Sequence, residues 1–378
     1  MSSTSESIAA PPRHAFIEST LRFVQVFIMA AGGGGMILLM IGPLFAISSN
    51  GFIPLLVLFP LILFASVVAH EVGHAVAATL SGMTVLQLRA GPIQCAIRRH
   101  GARIRWNGYL EMKRARLGGF VFAIPDPARS LRRQQACYAM GGPLANLAVA
   151  MLAALIGYAL LPRPIAFMGF AVAWLNLMMA IGNLVPIKRA IGSDGKQLLE
   201  YLKAKECKLS PYQRLVALSI RGTRPDEMPV EVIEAVGAMP APLSLFALYV
   251  RLAAHQNSAN WTAASALEGD IERLVSGMPK AVVNASSDLL AIIRTELAFS
   301  KAMCDRDRGH LSDDLLPRAT AWLVPYLRPR CLALDEALAG NDHARDRQLD
   351  LAMRHAKRSV ERSVARSEAL LCEYIRAI

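Results

Sequence analysis

The stretch FIPLLVLFPLILFASVVAHEVGHAVAATL, residues 52–80, carries no charged or imidazole group except His70, Glu71 and His74. A helix needs about 20 apolar residues to cross a bilayer, and this run exceeds that. Ionisable groups inside such a run are costly and tend to be there for a function. Working outward, no charged residue occurs from Phe23 to Ala69, so this length holds two spans, near 23–47 and 52–80, with Ser48-Ser49-Asn50-Gly51 as the turn. Two further apolar runs give spans near 137–161 and 164–187, joined through Pro162-Arg163-Pro164. Glu71 is then the only acidic residue in any span.

Composition agrees with a membrane protein: 54% hydrophobic, 19% charged, with a formal net charge of +12. The basic residues flank the apolar runs, which points to anionic lipid and membrane orientation, with no nucleic acid as partner. Six scattered cysteines form no CxxC pair and read as free thiols in a reducing compartment. The first apolar run is too long for a cleaved signal peptide. The 81–133 loop holds eleven Lys/Arg residues, whereas the 48–51 turn has none. The positive-inside rule places that loop, and with four spans both termini, in the cytoplasm.

The expected fold class is an all-α membrane protein with about four transmembrane helices, a small membrane-associated β element between spans 2 and 3, and a C-terminal soluble helical domain. The β element is read from the mixed 85–106 stretch around His100-Gly101 and from the alternation of Phe120, Phe122 and Ile124. Residues 1–20 read as a flexible N-terminal tail, 21–200 as the transmembrane core and 201–378 as a cytosolic helical domain. In that domain Leu289, Leu290, Ile292, Ile293 and Leu297 recur at helical spacing. Arg354, Lys357, Arg358, Arg362 and Arg366 read as the solvated face of one last helix.

His70-Glu71-Val72-Gly73-His74 is an HExxH pattern. Residues four apart share a helix face, so both imidazoles can reach one zinc ion while Glu71 is placed to take a proton from the water it activates. The bland alternative is a pair of interfacial polar residues capping the span. Zinc in a catalytic site takes a third protein ligand. Asp194 follows the fourth span and lies at the same membrane face; Glu200 is the rival carboxylate, and an Asp-Gly pair can also be an ordinary turn. Asn146 and Asn183, near the ends of spans 3 and 4, are candidates to bind a substrate carbonyl or steady an oxyanion. Their alternative is helix–helix hydrogen bonding.

HEVGH in a transmembrane helix, GGPLANL (141–147) opening a later span, and NLVP (183–186) followed by SDG (193–195) resemble, in order and placement, the site-2 protease family of intramembrane zinc metalloproteases. The likeness covers roughly residues 52–200. One departure is the longer stretch Ile187–Ser193 between the proline and the aspartate, which is expected to loop out. The resemblance implies Zn2+ held by His70, His74 and Asp194, and Glu71 as general base. It implies an endopeptidase acting on a transmembrane protein or membrane-peptide substrate, in regulated intramembrane proteolysis. It also suggests a multi-pass protein of a bacterial inner membrane. The helical domain would receive any regulatory protein. The main alternative is a non-proteolytic zinc-binding membrane scaffold. A metal transporter would need polar groups deep along several spans, and here they sit only at one set of span ends.

Overall fold

The computed structural model describes residues 13–47, 50–107, 118–188, 192–204, 206–312 and 318–378. Four helices are long and apolar enough to cross a membrane: α1 (Arg13–Ile47), α2 (Phe52–Ser81), α3 (Leu131–Ala159) and α4 (Ala166–Leu184). Their outward faces are apolar, with Leu38, Leu56 and Leu80 at 73%, 75% and 81% exposed. Contiguous apolar exposure on this scale needs hydrocarbon rather than water around it, so the chain is an integral membrane protein.

The helix limits differ from the sequence expectations for physical reasons. Of the tail expected over 1–20, Arg13–Thr20 are helical, while residues 1–12 lie outside the described residues. The helix α3 starts at Leu131 instead of 137, because Ser130 caps it by accepting the Arg133 amide. The helix α4 stops at Leu184, short of 187, since Pro186 disfavours helical backbone in the residue before it. Ser48 and Ser49 of the first turn lie outside the described residues.

By its contacts the chain divides into two units, residues 1–94 with 117–207 and residues 95–116 with 208–378. In the first, α1, α2 and α4 pack around Met36, Met40, Leu44, Leu175 and Met179. Some polar groups inside the spans find partners there: Trp174 Nε1 donates to the Ala31 carbonyl at 2.9 Å, and Asn176 Nδ2 to Ser66 Oγ at 3.0 Å. Between α2 and α3 come β1 (Thr84–Ala90), β2 (Ile93–Ile97), β3 (Ala102–Trp106) and β4 (Gly119–Ile124), in sheet order β3-β2-β1-β4. The antiparallel β1–β4 pair runs from Thr84 opposite Ile124 to Ala90 opposite Gly119. The Arg98–Gly101 turn is left-handed at Gly101, φ +96°, a conformation that favours glycine. Lys113, Arg114 and Arg116 fall outside the described residues.

The second unit contains the hairpin tip and eleven α-helices among the described residues, from α6 (Pro211–Arg221) to α16 (Arg362–Arg376). The hairpin, placed with the core by sequence, groups here: Arg98 donates to the Leu323 carbonyl at 3.4 Å, and the Arg105 guanidinium lies 4.9 Å from the Trp322 ring. The stripe on α12 (Ser287–Asp305) is buried at Leu290, Ile293 and Leu297. The basic run near the C-terminus spans two helices rather than one. Arg354 and Lys357 end α15 (Asp342–Lys357), whereas Arg362 and Arg366 begin α16. Arg366 also pairs with Glu227 at 2.8 Å.

Candidate metal centre

The C-terminal half of α2 carries His70, Glu71 and His74, which are 8%, 7% and 5% exposed. One helical turn separates the histidines, and their Nε2 atoms lie 3.2 Å apart. Asp194 opens α5 (Asp194–Lys203) and meets both, Oδ2 at 3.1 Å from His70 Nε2 and Oδ1 at 3.4 Å from His74 Nε2. The far ring nitrogens are committed elsewhere. His70 Nδ1 lies 3.2 Å from Asn146 Oδ1, and His74 Nδ1 lies 2.7 Å from the Tyr138 carbonyl. Those oxygens only accept, so each Nδ1 donates its hydrogen and each neutral ring turns an Nε2 lone pair inward. Two lone pairs and a carboxylate facing one another repel unless a cation lies between them.

The spacing fits zinc. A tetrahedral site with bonds of about 2.0–2.1 Å has ligand–ligand edges of about 3.3 Å, close to the three separations here of 3.1, 3.2 and 3.4 Å. His70, His74 and Asp194 are thus the group that could hold a metal ion. The structure does not bring Glu200 to them: it lies further along α5, 61% exposed, with Lys196 Nζ at 3.4 Å.

Asp194 reaches the histidines through a knot after α4. Ser193 Oγ donates to the Val185 carbonyl at 2.6 Å and accepts the Ile187 amide at 2.9 Å and the Lys196 amide at 3.3 Å. The Ser193 amide donates back to the Ile187 carbonyl at 3.1 Å. These bonds close the loop between Ile187 and Ser193, so its extra length need not displace Asp194. Residues 189–191 within it lie outside the described residues. Gly195 completes the knot, because a Cβ there would overlap the Leu184 carbonyl.

The second side of the site is α3. A Cβ on Gly73 would overlap Ala145 Cβ and the Gly141 carbonyl, and one on Gly141 would come 2.7 Å from Ala77 Cβ. Small residues four apart on both helices let the backbones touch, and that contact carries Tyr138, Gly142 and Asn146 to the histidines. Tyr138 serves twice: its carbonyl holds His74, and its hydroxyl donates to the Val121 carbonyl of β4 at 2.7 Å. At the start of β4, a Cβ on Gly119 would overlap the Glu71 carboxylate, so the strand backbone runs directly against Glu71. Tyr138 and Gly119 were not singled out from sequence, and Ser193 stood there only as part of SDG. A backbone carbonyl, a cap that doubles as a knot and an absent side chain leave no motif.

Of the two asparagines, Asn146 is fully buried, with Oδ1 on His70 and no partner for Nδ2 among the described residues. Asn183 is half-buried near the end of α4 and has no hydrogen bond to the group among the described residues. Partners that orient a ligating histidine typically contribute 10–100-fold in metal affinity. Asn146→Ala is therefore expected to weaken zinc binding by roughly 10–100-fold in a competitive chelator titration, while Asn183→Ala leaves it unchanged.

No curated relative and no solved structure matches the chain. Residues 58–163, from within α2 through HEVGH and GGPLAN to the end of α3, match the family model of Peptidase family M50, the site-2 protease family of membrane zinc metalloproteases.

Proposed function

We propose that the protein is an intramembrane zinc-dependent endopeptidase that hydrolyses peptide bonds of membrane-embedded substrates, in regulated intramembrane proteolysis. The observation that carries this reading is Glu71 buried beside three convergent ligands. A transporter or a scaffold needs no such carboxylate. His70, His74 and Asp194 would hold zinc, which when bound makes water acidic enough to attack at neutral pH and polarises the substrate carbonyl. Glu71 accepts the proton of the attacking water and returns it to the leaving amine. Asn146 Nδ2, buried and without a partner among the described residues, is available to donate to the developing oxyanion. Asn183 keeps a second-rank place in that role.

A substrate helix has its amides bonded internally and must unwind before a carbonyl can enter. The strand β4 lies at the edge of the sheet with Gly119 against Glu71, so an unwound segment added along it would pass the carboxylate. The basic 81–133 loop supports N- and C-termini on the cytoplasmic side, and the family resemblance supports a multi-pass protein of a bacterial inner membrane. The helical unit would bind a regulatory protein.

Wild type and Glu71→Gln, purified in detergent, would be compared for zinc content and for cleavage of a panel of transmembrane peptides. About one zinc per chain is expected in both, with cleavage falling by roughly 10²–10⁴-fold in the variant. Equal cleavage by the variant would remove Glu71 from the chemistry. Zinc without cleavage by either protein would favour the scaffold. Absence of zinc from both would overturn the metal centre.

A further inference from the structure

Outside the metal centre, a groove of about 780 Å³ opens along the last turn of α2 and the first turns of α3. That volume is in the range for one bound ligand. Its walls are apolar, formed by Leu80, Met140 and Leu144, with Leu198 of α5. Leu80 and Leu144 are 81% and 52% exposed, so the groove faces the surroundings of the spans. One end is different. Arg129 and Arg133 line it beside Ser130, where α3 begins, and among the described residues no acidic residue lines the groove. Arg129 meets Asp126 only at 3.6 Å and is 60% exposed, and Arg133 has no ion pair among the described residues. His70, Glu71, His74 and Asp194 do not line it.

We propose that this groove is a binding site for an anionic phospholipid, with an acyl chain against Leu80, Met140 and Leu144 and the headgroup phosphate on Arg129 and Arg133. The pattern is that of the lipid itself, an apolar body ending in one concentrated negative charge. It lies where apolar spans give way to a basic segment, the level at which headgroups sit. An apolar transmembrane peptide would match the walls but bring no negative charge to the two guanidinium groups. The inference rests on the membrane-spanning reading and not on proteolysis.

Cys137 lines the groove and is exposed, while Cys304, exposed on the helical unit, is a reference thiol in the same chain. The full chain would be placed in vesicles of phosphatidylcholine alone or with phosphatidylglycerol. Labelling of both cysteines by neutral N-ethylmaleimide would then be followed by mass spectrometry. Each basic residue near an anionic headgroup contributes about a fivefold preference, so two give roughly thirtyfold for phosphatidylglycerol. Phosphatidylglycerol is expected to slow Cys137 labelling relative to Cys304. The Arg129→Gln/Arg133→Gln double variant is expected to lose that protection while keeping its zinc. Equal protection by both lipids would overturn the proposal, leaving a groove filled by any acyl chain. Protection by a transmembrane peptide and by neither lipid would overturn it in favour of a substrate groove. Protection that survives in the double variant would also overturn it.

Discussion

Replacing Gly142 with alanine is expected to empty the metal centre although no ligand is changed. A Cβ at this position would overlap His74 Nε2 and lie 2.6 Å from both Cε1 and Nε2 of His70. The α3 backbone has little room to retreat, since Gly141 and Gly73 already touch and a Cβ on either would collide with the facing helix. The imidazoles must rotate instead, and rotation breaks the Nδ1 bonds to Asn146 and Tyr138 that aim them inward. Losing two ligands and both orienting partners is expected to lower zinc affinity by at least about 100-fold, and cleavage should fall with it. The comparison is Gly34→Ala in α1, where an added Cβ meets nothing within 4 Å; that variant should keep zinc and activity. Wild-type zinc content in Gly142→Ala would mean that the site is more open than the glycine contact implies.

Much of this site was legible because its chemistry is written in residue types. The four spans follow from long charge-free runs, and the HExxH spacing alone places two imidazoles on one helix face. The errors at span ends have local causes, a serine cap that lets Arg132 and Arg133 join α3 and a proline that stops α4 early. Asn146 was ambiguous for a different reason. An amide can bond a neighbouring helix, a substrate or a ligand, and only the three-dimensional approach of α2 and α3 assigns its Oδ1 to His70. Asp194 could be narrowed from sequence only by membrane side. Its selection over Glu200 comes from the Ser193 bonds and the Gly195 contact, which act between residues up to eleven apart and have no periodic signature. The grouping of residues 95–116 with the helical unit was equally invisible, because it depends on carbonyls of Leu323 and Trp322 more than two hundred residues away.

Removing one buried cation from the helical unit, by Arg330→Met, is expected to cost that unit about 3–5 kcal/mol, since breaking a buried pair strands the remaining charge. Arg330 is 2% exposed and joins two carboxylates. Its Nη2 donates to Glu296 Oε2, and its Nη1 donates to Glu368 Oε2 at 3.1 Å, with the guanidinium 4.7 Å from the Phe299 ring. Glu296 has further help from Gln256 Nε2 at 3.1 Å, whereas Glu368 Oε1 has no partner among the described residues. One cation thus serves two acids, and burial pushes the Glu368 carboxyl up to about 7, against the pull of Arg330. A carboxyl raised in the folded state binds its proton there more tightly than in the unfolded chain. Stability from this group is therefore present at acidic pH and declines as pH rises from about 4.5 through 7. Without Arg330 the Glu368 carboxyl loses the charge that pulls it down and shifts further up, so the deficit should be smaller at pH 5 than at pH 8. Adding Glu368→Gln should recover part of it by removing one stranded charge. Thermal unfolding of the full chain at the two pH values, with protease cleavage mapped within residues 208–378, measures the effect. Zinc content is expected to stay at the wild-type level, because every candidate ligand belongs to the other unit. A deficit below about 1 kcal/mol at both pH values, the size of an exposed pair, would show that water reaches these acids and that the cluster is not closed.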